Sequence, residues 1–205
     1  MLQTAPGWML MTKTRQTMDR KIIELAKNQA VIDPAVLLAF IEVETGGRGF
    51  DPKTGKILIQ FEPSWFRKKS PYAPSGLWSV NRVDVQSKEW LAFNDAFRKD
   101  PNAAMESTSI GLGQIMGFHW KRLGYLSVGH MWDDAKSGLD SQMAQIIKFI
   151  QTDPRLLQAI ENRDWHRIAS LYNGSGYREL AARIGREPYD LSMLKAYYRH
   201  KLQIK

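Results

Sequence analysis

One stretch of this 205-residue chain constrains its fold more than any other, the sequence AVLLAFIEVET at positions 35–45. Asp33 before it is suited to cap a helix N-terminus, and Pro34 suits the first helical position. Gly46 and Gly47, directly after it, are typical of a helix end. Because the predicted helix is apolar nearly all round, it must lie in the core, with the rest of the chain packed about it.

The remaining sequence predicts a mostly α fold of the α+β kind, in a single domain over residues 1–205. Hydrophobic residues make up 43% of the chain, which is enough for one core. The turn-rich FDPKTGK and the β-branched ILIQFE after it predict one small β-hairpin, and residues 70–85 predict a surface loop. Apolar periodicity predicts helices at 18–30, 87–99, 101–106, 127–136, 139–152, 154–161, 164–172 and 190–202.

Composition excludes several classes of protein. No stretch approaches the ~18 consecutive apolar residues that a membrane span needs. The chain has no Cys, so it has no disulfides, no thiolate chemistry and no Cys-based zinc site. His119, His130, His166 and His200 are too scattered to form a ligand motif. We therefore expect neither a metal nor a cofactor.

The chain is strongly basic, with a formal net charge of +8 and a pI of about 9.7. Basic proteins of this size bind polyanions: nucleic acid, anionic lipid or an acidic cell-wall polymer. Composition alone does not separate these three. Nucleic acid is not predicted, because no run of Lys and Arg alternates with stacking aromatics on one face and no nucleic-acid motif is present.

Two carboxylates interrupt the apolar helix. Glu44 follows Phe40 and Ile41 by one turn, and Glu42 follows Leu38 by one turn, so each shares an apolar face and periodicity does not tell which is exposed. Burial and the negative end of the helix dipole both disfavour ionisation of a carboxyl near this C-terminus. Such a group is a candidate general acid near neutral pH. The alternative is a Glu that caps or forms an ion pair inside the fold.

Two Gly-containing segments are the other candidate sites. Gly111, Gly113 and Gly117 let the backbone come close to a ligand or to the buried helix, and Gln114 among them offers both a donor and an acceptor. A tightly packed loop–helix junction is the alternative. Tyr-Asn-Gly at 172–174 suits stacking on a sugar and hydrogen bonding to it, although an ordinary turn has the same composition.

Taken together, these segments resemble a known superfamily. Glu-Thr-Gly-Gly at 44–47, Gly-Leu-Gly-Gln-Ile at 111–115 and Tyr-Asn-Gly at 172–174 are similar to the three ordered motifs of goose-type lysozymes and lytic transglycosylases. The longer stretches AFIEVETGGRGF, KILIQFEPSWF, NAAMESTSIGLGQIMGFHW, DWHRIASLYNGSGY and YDLSMLKAYY resemble the N-acetylmuramidase domain of modular phage endolysins. The similarity covers about residues 18–200 in order.

The resemblance implies a lysozyme-like fold and hydrolysis of the bond that joins N-acetylmuramic acid to N-acetylglucosamine in peptidoglycan. Glu44 matches the catalytic Glu, Glu42 becomes structural, and Glu62 is the candidate second carboxylate. Glu106 matches another recurrent acid, which serves instead of Glu62 or anchors the Gly-rich loop. The predicted substrate-binding residues are Glu106, Gly113, Gln114, Tyr125, Tyr172 and Asn173.

Two other functions remain open at this stage. A lytic transglycosylase uses the same acid, but the muramic 6-hydroxyl replaces water and leaves a 1,6-anhydro product. A non-catalytic basic module that binds wall polymer is the alternative from another class. The presence of Glu44 on the buried helix favours an enzyme over this module.

The predicted partner is peptidoglycan, bound by a monomer. The basic C-terminal segment at 195–205, with Lys195, Arg199, Lys201 and Lys205, predicts an approach to anionic outer-membrane lipid; a solvated terminal helix is the alternative. Met1–Arg20 lacks the pattern of a secretory signal. We expect synthesis in the bacterial host cytoplasm, action on the periplasmic wall after release, and no separate peptidoglycan-binding module.

Overall fold

The computed structural model describes residues 18–204, except for the side chain of Leu77. The sequence predictions for Lys205 and for most of Met1–Arg20 lie outside these residues. The described helices are α1 (Arg20–Asn28), α2 (Pro34–Thr45), α3 (Pro63–Lys69), α4 (Gln86–Lys99), α5 (Pro101–Glu106), α6 (Val128–Ser137), α7 (Leu139–Gln151), α8 (Pro154–Glu161), α9 (Trp165–Tyr172), α10 (Tyr177–Arg183) and α11 (Tyr189–Gln203), and the strands are β1 (Ile59–Phe61), β2 (Thr108–Ile110) and β3 (Ile115–Met116).

The central element is α2, as predicted. Its residues 35–41 are all buried, so the helix has no solvent-facing side over its first two turns. The Asp33 side chain accepts a hydrogen bond from the backbone N–H of Ala35 at 2.9 Å. At the other end, Gly46 adopts the left-handed conformation with φ 63° and donates its N–H to the carbonyl of Glu42. These caps fix both ends of α2.

The helix that packs most extensively along α2 is α11, although the two are distant in sequence. Glu42 on α2 forms ion pairs with Arg199 and with His200 on α11, the latter at 2.7 Å. Burial alone would raise the pKa of Glu42, but hydrogen bonds from His200 and Arg199 outweigh it and lower the pKa. The prediction that Glu42 is structural therefore agrees with its contacts.

The sheet is antiparallel, in the order β1-β2-β3. Its register pairs Gln60 with Ser109 and Ile110 with Ile115, so the Gly-rich segment supplies two of the three strands. The outer edge of β1 is satisfied by side chains of α4. Gln86 exchanges two hydrogen bonds with the backbone of Ile59, and these replace a fourth strand.

Several elements differ from the sequence predictions. Residues 51–56 form the predicted turn, which a bridge between Phe50 and Ile57 closes. The predicted hairpin does not extend beyond this bridge, because β1, which follows the turn, pairs with β2. The segment 70–85 is largely exposed as predicted, yet Trp78 is buried on Phe61 and Phe66. Two short helices, α3 and α10, lack the apolar periodicity that identified the others. Among the described residues, no helix has the length and hydropathy to cross a bilayer.

Candidate active site

Glu44 lies at the last turn of α2, where the helix meets α9 and α11. The Tyr189 hydroxyl at the start of α11 donates a hydrogen bond to Glu44 Oε1 at 2.5 Å. The described residues supply no Lys, Arg or His within ion-pair distance of this carboxyl, in contrast to Glu42 two positions earlier. One carboxylate of the helix thus contacts Arg199 and His200, and the other contacts a neutral hydroxyl.

Burial raises the pKa of Glu44 to about 7, and the hydrogen bond from Tyr189 moderates this rise. The physical cause is the loss of hydration by the ionised form, which no neighbouring cation offsets. A carboxyl with this pKa is protonated in a large fraction of molecules at neutral pH. It is therefore able to donate a proton to a leaving group.

The Gly-rich hairpin between β2 and β3 packs directly beside Glu44. The Thr45 hydroxyl lies 3.3 Å from the carbonyl oxygen of Leu112, and the Tyr172 hydroxyl donates to the carbonyl of Gly113 at 2.6 Å. A Cβ built on Gly113 would lie 2.5 Å from a side-chain carbon of Ile146 and 3.3 Å from the Tyr172 hydroxyl oxygen. Three predicted residues, Glu44, Gly113 and Tyr172, are therefore brought together.

The glycines of this hairpin approach protein groups. Gly111, at φ 67°, leaves no room for a Cβ against the side chain of Gln142. Gln142 is buried and accepts a hydrogen bond from the backbone of Leu112 at 2.9 Å. Gln114 has φ 46°, a strained value for a non-glycine residue, and its side chain bonds Ser109 and the carbonyl of Gly111. The segment packs tightly, but as a β2–β3 hairpin rather than as the loop–helix junction that the sequence suggested as the alternative. Sugar binding by Gln114 stays a prediction.

Glu62 lies at the junction of β1 and α3. Its backbone N–H bonds the carbonyl of Ser107 at 2.9 Å, and Asn81 donates to its Oε2 at 3.2 Å. Burial raises the pKa of Glu62. Within residues 18–204 no cation forms an ion pair with it, so its carboxyl remains available for chemistry.

Glu106 differs from Glu62 in its hydrogen-bond partners and in the direction of its pKa shift. Lys69 Nζ lies 2.7 Å from Glu106 Oε2, and the Trp120 indole donates to Oε1 at 2.8 Å. Burial alone would raise the pKa of Glu106, but the hydrogen bonds from Lys69 and Trp120 outweigh it and lower the pKa. Both oxygens are engaged within the protein, which favours the anchoring role for Glu106.

The last two predicted residues lie in different surroundings. The Tyr125 hydroxyl bonds the Asp134 carboxylate and accepts from Gln145 at 3.0 Å. Burial, followed by the hydrogen bond to Asp134, raises the pKa of Tyr125 to about 12. Asn173 is exposed at the C-terminal end of α9, next to Tyr172. The structure thus gives Tyr125 an internal network and leaves Asn173 open to solvent.

Aromatic rings continue from Glu44 along the site towards Glu62. Successive rings lie 4.3–6.3 Å apart between centroids, and only the rings at Phe149 and Tyr189 are buried. We call this series the aromatic row; it comprises Tyr189, Tyr172, Phe149, His119, Phe118 and Trp65. Burial lowers the pKa of His119 to about 4, so this ring is neutral at physiological pH. A row of neutral rings suits stacking on sugars.

Sequence reasoning missed Tyr189 and Trp65. Both occur inside quoted motifs, YDLSMLKAYY and KILIQFEPSWF, but 145 positions separate Tyr189 from Glu44, and no periodicity links them. Trp65 follows Glu62 by one helical turn, which was the only available indication of its place. A separate cavity beside the Gly46 turn is lined by Arg48, Phe50 and Leu139 among others, and does not include Glu44.

Replacing Tyr189 by Phe tests the electrostatics of Glu44. The hydroxyl stabilises the ionised carboxylate, so its loss raises the pKa of Glu44 further, and the alkaline limb of the activity profile moves to higher pH by up to about one unit. The measurement is initial rate against pH between 5 and 9. Tyr198→Phe, at an exposed position of the same helix, is the control and leaves the profile unchanged. A shift to lower pH would contradict this account.

A helical domain built around a buried helix, with a carboxyl of raised pKa at the end of that helix and a short sheet beside it, is the arrangement of the lysozyme-like class. Comparison with solved structures agrees: the crystal structure of Burkholderia AP3 phage endolysin matches with a TM-score of 0.69 and 28% identity, covering 91% of this chain and 70% of that chain. Comparison with curated proteins gives no match. A family model, Muramidase (N-acetylmuramidase), matches residues 33–201.

The chain belongs to the N-acetylmuramidase family. It is therefore a peptidoglycan-degrading enzyme, and the lysozyme-like fold expected from its sequence is confirmed. The match covers α2 to α11, and so includes both candidate carboxylates and the Gly-rich hairpin. Within residues 18–204, no three His, Asp or Glu side chains gather closely enough to hold a metal ion.

Proposed function

We propose that this enzyme hydrolyses the β-1,4 bond between N-acetylmuramic acid and N-acetylglucosamine, with Glu44 as the general acid. The observation that carries the proposal is the environment of Glu44: a half-buried residue whose carboxyl is bonded to a neutral hydroxyl and has a pKa of about 7. Cleavage of a glycoside needs a proton on the leaving oxygen as positive charge develops on the sugar ring. A carboxyl that holds its proton near pH 7 supplies that requirement.

Glu62 is our proposal for the second carboxylate. It has no ion-pair partner within the described chain, whereas both carboxylate oxygens of Glu106 accept hydrogen bonds, one from Lys69 and one from Trp120. In the ionised form Glu62 acts in one of two ways: it activates water when the carboxyl groups are ~6.5–9.5 Å apart, or attacks the sugar at ~5–5.5 Å. The resemblance to goose-type lysozymes favours activation of water and inversion.

The glycan strand is proposed to be positioned by Tyr172, Gly113 and the aromatic row. The Tyr172 hydroxyl is held by the Gly113 carbonyl, so its ring orientation is fixed before substrate binds. Its ring also packs on Phe40 of the buried helix at 4.7 Å between centroids. A pre-positioned platform lowers the entropic cost of holding the sugar beside Glu44. Gln114, Tyr125 and Asn173 remain proposed sugar contacts.

The decisive experiment is mass spectrometry of muropeptides released from purified sacculi. Hydrolysis at the proposed bond gives fragments that end in a reducing N-acetylmuramic acid. Products ending in 1,6-anhydromuramic acid would identify a lytic transglycosylase, and reducing N-acetylglucosamine ends would place cleavage at the other glycosidic bond. A Glu44→Gln digest run in parallel controls for contaminating hydrolases.

We further propose that residues 1–205 act as one catalytic domain and as a monomer, made in the host cytoplasm and released to the periplasmic wall. For the C-terminal segment we propose only a minor contribution to contact with anionic lipid. Three of its cations are engaged by acids, in the pairs Lys195–Glu187, Arg199–Glu42 and Lys201–Asp33. Paired cations attract an anionic surface less than free ones do.

A further inference from the structure

The aromatic row begins at Tyr189, which bonds Glu44, and ends at Trp65. At the Trp65 end, three lysines lie over three aromatic rings. We call this surface the Lys–aromatic patch; it comprises Trp65, Lys68, Lys69, Phe118, Trp120 and Lys121. The ammonium groups of Lys68, Lys69 and Lys121 lie 4.6, 5.6 and 5.1 Å from the ring centroids of Trp65, Phe118 and Trp120 respectively. Such cation–π contacts hold each ammonium over its ring.

The patch is continuous with the active site. Trp65 and Lys68 belong to α3, which begins directly after Glu62, and Phe118 follows β3 by two residues. The Trp65 and Phe118 rings touch at 4.7 Å between centroids and close the aromatic row. In the proposed function, a sugar strand held between Glu44 and Glu62 that continues past Glu62 reaches these lysines, because Trp65 and Lys68 follow Glu62 on α3.

The charges of the patch are unbalanced. Lys69 is neutralised by Glu106 at 2.7 Å, whereas Lys68 and Lys121 form no ion pair with any Asp or Glu of residues 18–204. Both side chains are exposed, so their ammonium groups are accessible to a ligand. The patch thus presents two fixed positive charges beside surfaces that suit sugar stacking.

From this juxtaposition we infer that the Lys–aromatic patch binds the carboxylates of a stem peptide carried by a muramic acid outside the cleaved bond. The inference rests on the proposed function, because it assumes a peptidoglycan strand in this site. A peptidoglycan strand combines both required chemistries: sugars that stack on rings, and peptides with free carboxylates on alternate sugars. The enzyme then distinguishes peptide-bearing strands from bare glycan, and amidation of the carboxylates weakens its grip.

Binding to sacculi in the Glu44→Gln background tests the inference without turnover. We expect Lys68→Glu combined with Lys121→Glu to weaken binding to peptide-bearing sacculi by about tenfold, since two exposed charge contacts are reversed. Binding to strands stripped of peptides by an amidase falls much less, because the carboxylate that this cleavage leaves lies on the muramic acid itself and not on a peptide that reaches the patch. Lys99→Glu makes the same change at an exposed position at the end of α4 and is the control. In this variant, the ratio of binding to peptide-bearing strands over binding to peptide-free strands stays within twofold of the wild-type ratio.

Three outcomes would overturn the inference. Equal losses on peptide-bearing and peptide-free strands would show general attraction between charges, and so would an equal loss on vesicles of anionic phospholipid. Unchanged binding to both strands would remove the patch from recognition altogether. Because the assay measures binding, its failure is distinguishable from an unexpected cleavage product, which would overturn the proposed function alone. A thermal melt of each variant confirms folding.

Discussion

Glu44→Gln is expected to lower the rate of peptidoglycan hydrolysis by about 10²- to 10⁴-fold, the usual contribution of a general acid. Gln fills the same volume and still accepts the hydrogen bond from Tyr189, so the fold and the aromatic row are preserved. What is lost is the proton. Turnover of purified sacculi, measured as release of soluble fragments, reports the effect directly, and an undiminished rate would remove Glu44 from the mechanism.

The same variant is expected to be more stable than the wild type at alkaline pH. Because the folded pKa of Glu44, about 7, exceeds the unfolded value, the folded state loses stability as pH rises from the unfolded pKa through 7. The loss reaches roughly 3 kcal/mol above pH 7. Gln does not ionise and avoids it. At pH 5, Glu44→Gln should therefore have a melting temperature similar to that of the wild type. At pH 8, its melting temperature should be higher than that of the wild type.

Glu42→Gln is the matched control on the same helix. It breaks the ion pairs with Arg199 and His200 but touches nothing in the proposed catalytic apparatus. We expect it to retain hydrolysis and to melt at a lower temperature, the reverse of Glu44→Gln in both measurements. Glu62→Gln and Glu106→Gln extend the series: loss of turnover in the first with folding intact, and retention in the second, would identify the second carboxylate.

Gly117→Ala is expected to be the most destabilising small substitution near the site. A Cβ at Gly117 would lie 2.0 Å from the backbone oxygen of Met105, and backbone does not yield as a flexible side chain does. Either β3 or α5 must move. Forcing extra volume into a packed interior costs about 1–3 kcal/mol, which corresponds to a melting temperature lower by about 2–12 °C in a protein of this size.

Calorimetry of this variant checks the expectation. Gly76→Ala provides the control, because a Cβ there meets nothing within 4 Å, and its melting temperature should stay close to that of the wild type. Activity of Gly117→Ala should fall as well, since Glu106 next to Met105 anchors Lys69 and Trp120. A melting temperature unchanged from the wild type would mean that Gly117 and the backbone of Met105 leave room for a Cβ, and would contradict this prediction.

Local sequence predicted the elements whose patterns are complete within one segment. The buried α2, its Asp33 cap and its Gly46 end follow from one run of residues, and each is present in the structure. The short helices α3 and α10 were missed because each buries only two side chains and has no side-chain N-cap, in contrast to the equally short α5, which Asp100 caps. The β-hairpin was predicted at its turn, but the pairing of β1 with β2 joins residues some fifty positions apart.

The sequence by itself determined that a carboxylate lies near the end of a buried helix, because helical periodicity and capping are local properties. The contact of this helix end with the Gly-rich β2–β3 hairpin joins residues 67 positions apart and appears only in the tertiary structure. Periodicity left both Glu residues open and the family resemblance favoured Glu44, whereas the physical difference between the two comes from the tertiary structure. Arg199 and His200 contact Glu42 and lower its pKa, and Tyr189 offers Glu44 a neutral hydroxyl. The pKa of a carboxyl depends on groups within a few ångströms in space, and here those groups come from a helix about 150 positions away along the chain.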